Sequence, residues 1–154
     1  MLGGIAQLVR SSGQLDGNSP SPFHDSPFYD VYTCADGGFI TLGALEPQFH
    51  ALLLRKLGFA DVDPAAQYDK AAWPALKARF TALFASRPRR HWCDLLEGSD
   101  VCFAPVLSLA EAASHPHNLA RGIDCQDAAG ALHAAAAPRF QPLLPQAPGL
   151  AQQA

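Results

Sequence analysis

Apolar residues recur along this chain at two spacings, one typical of strands and one typical of helices. Residues 28–34 alternate as a strand around the aromatic Tyr32, and residues 38–42 form the return strand. Between them, Asp36-Gly37 is typical of a two-residue hairpin turn, because both residues tolerate a positive φ. This part of the chain therefore predicts an antiparallel β-hairpin.

Three segments in the middle of the chain carry apolar residues at helical spacing. The first follows Pro47, which suits the opening turn of a helix, and ends at Gly58, which suits a left-handed C-terminal cap. The second runs from about residue 70 to 86, and a shorter third segment follows Pro88. The residues predicted to face the core are Phe49, Leu52, Leu53, Leu57, Trp73, Leu76, Phe80, Leu83, Phe84, Trp92, Leu95 and Leu96.

Shorter elements follow in the last third of the chain. Residues 101–107 read as an apolar strand, and Pro105, which has no N–H to donate, places it at a sheet edge or a bulge. Ser108 and Glu111 have the spacing of a capping box, which predicts a short helix. Residues 122–126 and 132–136 are expected to pair as a second hairpin.

The order of these elements predicts an α+β fold with a small antiparallel sheet of about three strands, flanked by helices and extended by arms at both ends. We expect residues 28–137 to form this domain. Residues 1–27 are predicted to hold a helix end, over residues 1–12, and a connecting arm rich in Gly, Ser and Pro. Residues 138–154 are predicted to be a Pro-rich tail.

The composition excludes several classes of function. With 154 residues, 49% of them hydrophobic, and a net charge of −3, the chain fits one globular domain and offers no basic surface for nucleic acid. No apolar run is long enough to cross a bilayer, so no membrane contact is expected. The cysteines are too widely spaced for a metal site, and we expect buried free thiols in a reducing, cytoplasmic compartment. They are Cys34, Cys93, Cys102 and Cys125.

The strongest candidate for chemistry is Glu46, which joins an apolar strand to a helix. Pro47 favours an extended backbone at Glu46, which is the geometry of a helix N-cap. Glu is not a preferred N-cap residue, and its longer side chain can reach away from the helix as an acid/base group. The alternative is a structural role, because the helix macrodipole alone stabilises a carboxylate at this position by about 0.3–1 kcal/mol.

A set of short motifs extends this picture over most of the chain. The central motif is Gly43-Ala44-Leu45-Glu46-Pro47-Gln48-Phe49, and the others lie at residues 28–32, 36–37, 92–93, 98–107, 115–118, 120–122 and 137–140. In this order, over about residues 26–140, they resemble the C-terminal half of the α-methylacyl-CoA racemases, within the family III CoA-transferase superfamily.

The resemblance implies that this chain is the small domain of a larger enzyme. In the family a large Rossmann-like domain holds coenzyme A, two chains interlock as a homodimer, and each active site forms between a large and a small domain. Residues 1–27 would then link to a missing large domain, and the chain alone is expected to be inactive. The implied substrate is a 2-methylacyl-CoA of fatty acid metabolism, with coenzyme A as part of the substrate and no separate cofactor.

The resemblance also implies roles for three residues. Glu46 matches the glutamate that takes part in α-proton exchange beside a His of the large domain. Tyr29 and Leu45 match positions near the acyl side chain. Two other functions stay open, namely CoA transfer between an acyl-CoA and a carboxylate, and a non-catalytic interaction module.

Overall fold

The computed structural model describes residues 20–23, 25–126 and 129–135. The chain divides into two compact units, residues 1–106 and 107–154. The predicted helix over residues 1–12, most of the connecting arm and the Pro-rich tail lie outside the described residues.

The first unit is built on a three-stranded antiparallel sheet. Its strands are β1 (Tyr29–Thr33), β2 (Phe39–Gly43) and β3 (Phe103–Val106), arranged in the order β1-β2-β3. β3 is therefore an edge strand, which confirms the position predicted from Pro105. The predicted α+β class and small antiparallel sheet are confirmed.

The turn between β1 and β2 differs from the predicted two-residue hairpin. The N–H of Cys34 donates to the carbonyl of Gly38 at 2.8 Å, so three residues lie between the bonded pair. In this turn Gly37 has a positive φ of 76°, whereas Asp36 does not. The Asp36 carboxylate instead accepts hydrogen bonds from the backbone N–H of Gly38 and of Arg89, both at 3.1 Å. Asp36 thus stabilises the turn through its side chain rather than through a left-handed backbone.

Helices pack against one face of this sheet. They are α1 (Pro47–Leu57), a 3-10 helix (Pro64–Ala66), α2 (Trp73–Phe84) and α3 (Arg89–Leu96). α1 ends at Gly58, whose φ of 78° confirms the predicted left-handed cap. α2 begins later than predicted, because Pro74 is accommodated only in the first turn of a helix.

An aromatic cluster joins the sheet to α2 and α3. Tyr32 of β1, Phe80 and Phe84 of α2, and Trp92 of α3 are all buried. Neighbouring ring centroids in this cluster lie 5.0–6.2 Å apart. Aromatic pairs at such distances contribute about 0.5–1.5 kcal/mol each beyond the area they bury.

Two burial predictions are wrong. Leu95 is 37% exposed, because Trp92 and Leu96, four residues apart on α3, define its buried face. All four cysteines are free thiols as predicted, but Cys34 alone is buried, while Cys102 and Cys125 are exposed. Cys102 lies just outside the sheet, and Cys125 belongs to a two-stranded hairpin, which buries little by itself.

The second unit contains short elements only. They are α4 (Leu109–Ser114), α5 (Pro116–Arg121), β4 (Asp124–Gln126) and β5 (Leu132–Ala134). The pairing of β4 with β5 confirms the second hairpin, and Ser108 and Glu111 form the predicted capping box. α5 is not among the predicted elements, although Pro116 in its first turn and Gly122 after its last are typical boundary signals. Within the described ranges, no helix is long and apolar enough to cross a membrane.

Candidate functional site

An open groove lies on the outer face of the three-stranded sheet. Successive strand residues face opposite sides, so Tyr29 and Val31 point away from the core that holds Tyr32. Tyr29 is 39% and Val31 is 52% exposed. The groove has a volume of about 410 Å³, and its lining includes Phe23, Tyr29, Val31, Thr41, Gly43 and Cys102. It offers a largely apolar surface to solvent.

Gly43 lies between Tyr29 and Cys102, and all three residues line the groove. It lies opposite Tyr29 in the strand register, and its N–H donates to the carbonyl of Cys102 at 2.8 Å. A Cβ atom on Gly43 would lie 3.7 Å from that carbonyl oxygen and 3.9 Å from Cε2 of Tyr29. Cys102 has a φ of 51°, a left-handed conformation that non-glycine residues rarely adopt. Tyr29 and Cys102 therefore flank the chain three residues before Glu46.

Glu46 has the predicted backbone geometry, and its carboxylate makes no capping hydrogen bond. It is the N-cap of α1, with φ −77° and ψ 140°. Its carbonyl accepts from the N–H of Phe49 at 3.1 Å and of His50 at 3.0 Å. The side chain is exposed, and no ion pair engages it within the described part of the chain. The carboxylate is therefore available to a ligand.

Burial and the charge of Glu46 raise the pKa of two neighbouring groups. Burial, and then the Glu46 carboxylate, raise the pKa of the Tyr68 phenol. Burial, then Glu46 and Asp100, raise the pKa of the Cys102 thiol. Both groups stay protonated near neutral pH, and a protonated thiol is a poor nucleophile. Cys102 is therefore a poor candidate for a nucleophile.

The structure separates the residues predicted to form the site. Tyr29 lines the groove, whereas Leu45 is half-buried against the hydrophobic core and is not part of the groove lining. Glu46 lies at the β2–α1 junction, three residues after Gly43, which lines the groove. Sequence reasoning missed Tyr68 and Cys102, because no local pattern places either residue near Glu46. Among the described residues, no cluster of His, Cys, Asp and Glu is arranged to hold a metal ion.

His50, which follows Glu46 by one helical turn, is a core residue. It is only 1% exposed, and its ring lies 5.2 Å from that of Phe28. Burial lowers the pKa of His50 to about 4, so the imidazole is neutral near pH 7. Its Nδ1 atom is buried and has no hydrogen-bond partner among the described residues. His50 is therefore unsuited to share protons with the exposed Glu46.

We expect the burial of His50 to make the free energy of unfolding fall as the pH drops from about 6.5 to about 4. In this window His50 binds a proton in the unfolded chain but stays neutral in the folded chain. The contribution of neutral His50 to stability is therefore complete above pH 6.5 and is lost as the pH falls toward 4. At about 1.4 kcal/mol per pH unit, the loss is on the order of 3 kcal/mol. Urea unfolding curves recorded between pH 8 and pH 4 measure it.

Two variants isolate this contribution from that of the carboxylates. His50→Phe should flatten the pH dependence relative to the unmodified chain, whereas His117→Phe, at an exposed histidine, should leave it unchanged. An unchanged slope in His50→Phe would show that His50 does not control it.

Comparisons with known proteins agree with the motif pattern. The chain matches the family model of CoA-transferase family III over residues 5–152. It is 37% identical to mouse (Mus musculus) α-methylacyl-CoA racemase over 147 residues, which cover 96% of this chain and 36% of that protein. It is also 37% identical to the human (Homo sapiens) racemase over 116 residues, covering 75% of this chain and 28% of that protein. The chain thus spans about a third of the length of these curated relatives.

The fold also matches a solved structure. The crystal structure of Rv3272 from M. tuberculosis, in its orthorhombic form, superposes with a TM-score of 0.62 at 17% identity. The match covers 88% of this chain and 38% of that one. At this level of identity the similarity establishes the fold alone.

Proposed function

This chain belongs to CoA-transferase family III, and we propose that the protein it forms part of is a racemase of 2-methylacyl-CoA thioesters. In this proposal Glu46 is one of two acid/base groups that exchange the α-proton. The 37% identity to two α-methylacyl-CoA racemases supports this reaction within the family.

The observation that carries the proposal is the exposed, unengaged carboxylate of Glu46 at the strand–helix junction. A side chain in a structural role at an N-cap commonly bonds the first N–H groups of the helix or forms an ion pair, whereas stabilisation by the helix macrodipole needs neither. Glu46 does neither within the described residues, although its backbone is the N-cap. A free carboxylate on a hydrogen-bonded backbone suits acid/base catalysis.

The proposed reaction removes the proton from the carbon next to the thioester carbonyl and returns a proton to the opposite face. In one direction Glu46 takes the α-proton as its C–H bond breaks, and the electron pair moves into the thioester as an enolate. A second acid then donates a proton to the other face, and the enolate reverts to the thioester. Hydrogen-bond donors aimed at the enolate oxygen would stabilise the intermediate.

We assign the remaining parts of the site to the whole protein. In this proposal the second acid/base group and the coenzyme A contacts belong to the large domain that the family resemblance implies. The active site then forms where that domain, or an interlocked partner, meets the groove. Coenzyme A enters as part of the substrate. Tyr29 would provide an apolar wall for the acyl group, and Leu45 would support it from the core side.

Incubation of the full-length protein with 2-methylacyl-CoA in deuterium oxide tests the proposal. We expect deuterium at the α-carbon and interconversion of the two epimers, followed by NMR and chiral chromatography. A parallel incubation with a free carboxylate acceptor tests the alternative. A new acyl-CoA without α-exchange would assign the protein to CoA transfer. The absence of both products would favour a non-catalytic interaction module.

A further inference from the structure

Side chains from a distant segment hold the backbone that leads into Glu46. Nε2 of Gln67 donates to the carbonyl oxygens of Ala44 and Leu45, both at 3.0 Å. The hydroxyl of Tyr68 donates to the same Leu45 oxygen at 2.6 Å. The two peptide carbonyls just before Glu46 therefore receive three hydrogen bonds from residues 22 to 23 positions further along the chain.

The other backbone groups of this stretch are also bonded. The N–H of Ala44 donates to the carbonyl of Phe28 at 2.9 Å, and that of Leu45 donates to Gly43 at 2.8 Å. The Glu46 carbonyl accepts the first hydrogen bonds of α1. The backbone is thus held on both sides of Glu46, while the Glu46 carboxylate is left exposed.

The holding residues are themselves anchored. Gln67 is only 5% exposed, and its main-chain carbonyl accepts a hydrogen bond from Nε1 of the buried Trp73 at 2.8 Å. The ring of Tyr68 meets the ring of Phe28 edge-on, with centroids 5.7 Å apart. Both contacts lead back into the core of the first unit. The side chains of Gln67 and Tyr68, together called the clamp, are therefore both connected to that core.

We propose that Gln67 and Tyr68 are positioning residues, which fix the backbone carbonyls of Ala44 and Leu45 and thereby aim the carboxylate of Glu46. This inference rests on the proposed function, in which Glu46 exchanges the α-proton. A displacement of about 1 Å can lower the rate of a positioned reaction on the order of 100-fold. Loss of the clamp should therefore lower kcat more than it changes KM.

The competing interpretation is that these hydrogen bonds only stabilise the fold. A matched pair of variants separates the two roles, because Tyr32 makes a chemically identical bond elsewhere. Its hydroxyl donates to the carbonyl of Pro27 at 2.6 Å, the distance found for Tyr68 and Leu45. Tyr32 is buried, whereas Tyr68 is 52% exposed, so removing the Tyr32 hydroxyl should cost more stability.

The test measures kcat and KM for α-proton exchange by the full-length protein. Tyr68→Phe should lower kcat on the order of tenfold with KM within about twofold, and Gln67→Leu should lower it further. Tyr32→Phe should keep kcat within about twofold despite its larger loss of stability. Unchanged kcat in Tyr68→Phe, or an equal loss in Tyr32→Phe, would overturn the proposal.

A readout without catalysis keeps this inference separate from the proposed function. Amide hydrogen exchange at Leu45 and Phe49 should quicken about three- to tenfold in Tyr68→Phe, the effect expected for one lost hydrogen bond. In Tyr32→Phe these two amides should quicken no more than the other amides of the first unit, which report the overall loss of stability. If Tyr68→Phe shows faster amide exchange but the unmodified protein shows no α-proton exchange, the racemase proposal is refuted and the clamp is retained. Unaltered amide exchange in Tyr68→Phe would refute the clamp itself.

Discussion

Glu46→Gln should lower the rate of α-proton exchange by about 10²- to 10⁴-fold, the contribution typical of a general acid/base. The amide has nearly the same shape as the carboxylate but cannot accept the α-proton. Because the Glu46 side chain is exposed and makes no capping hydrogen bond, the substitution should leave the fold intact. The measurement is deuterium incorporation from solvent into 2-methylacyl-CoA, combined with a urea unfolding curve for each protein.

Glu111→Gln is the matched control for this variant. Glu111 also lies in the first turn of a helix, and Gln can replace it in the capping box with Ser108. The control should exchange the α-proton at the rate of the unmodified protein. If Glu46→Gln did so as well, Glu46 would have no part in α-proton exchange.

Phe84→Ala should lower the free energy of unfolding by about 3–5 kcal/mol, the largest effect on stability that we expect from a single substitution here. Phe84 is fully buried, and its ring lies 5.0 Å from the rings of both Tyr32 and Trp92. Truncation would leave a cavity where β1, α2 and α3 meet. Since domains of this size are stable by only about 5–15 kcal/mol, the loss is a large fraction of the total.

Urea unfolding measures this effect, and Phe39→Ala provides the comparison. Phe39 carries the same ring but is 45% exposed on the outer side of β2. Its truncation should cost far less, because little apolar surface returns to water and no cavity forms. Equal losses in the two variants would contradict the assignment of the core to the aromatic cluster.

The resemblance to the racemases and the geometry of Glu46 support the proposed function in different ways. Family membership rests on matches along nearly the whole chain, from residue 5 to 152. The geometry concerns a single side chain, whose backbone is held and whose carboxylate is free. The clamp of Gln67 and Tyr68 connects the two, because it supplies a physical reason why the motif around Glu46 should be rigid.

Much of the first unit was predictable from local patterns. Pro47 and Gly58 mark the ends of α1, and the predicted left-handed cap at Gly58 is present with a φ of 78°. The extended N-cap backbone of Glu46 was likewise predictable, because Pro47 restricts the residue before it. These two signals act through the sterics of one or two residues, so they do not depend on contacts with distant segments.

The surroundings of Glu46 were decided only by the tertiary structure. Tyr68 and Cys102 lie 22 and 56 positions further along the chain, and the packing of separate elements brings them to the same junction. The burial of His50 and the exposure of Leu95 depend equally on which helix face meets the sheet. The sequence by itself determined the strands, the three longer helices and the place of the carboxylate, because backbone sterics and apolar periodicity are local. What holds and surrounds that carboxylate arises from contacts between distant segments, which no short stretch of sequence encodes.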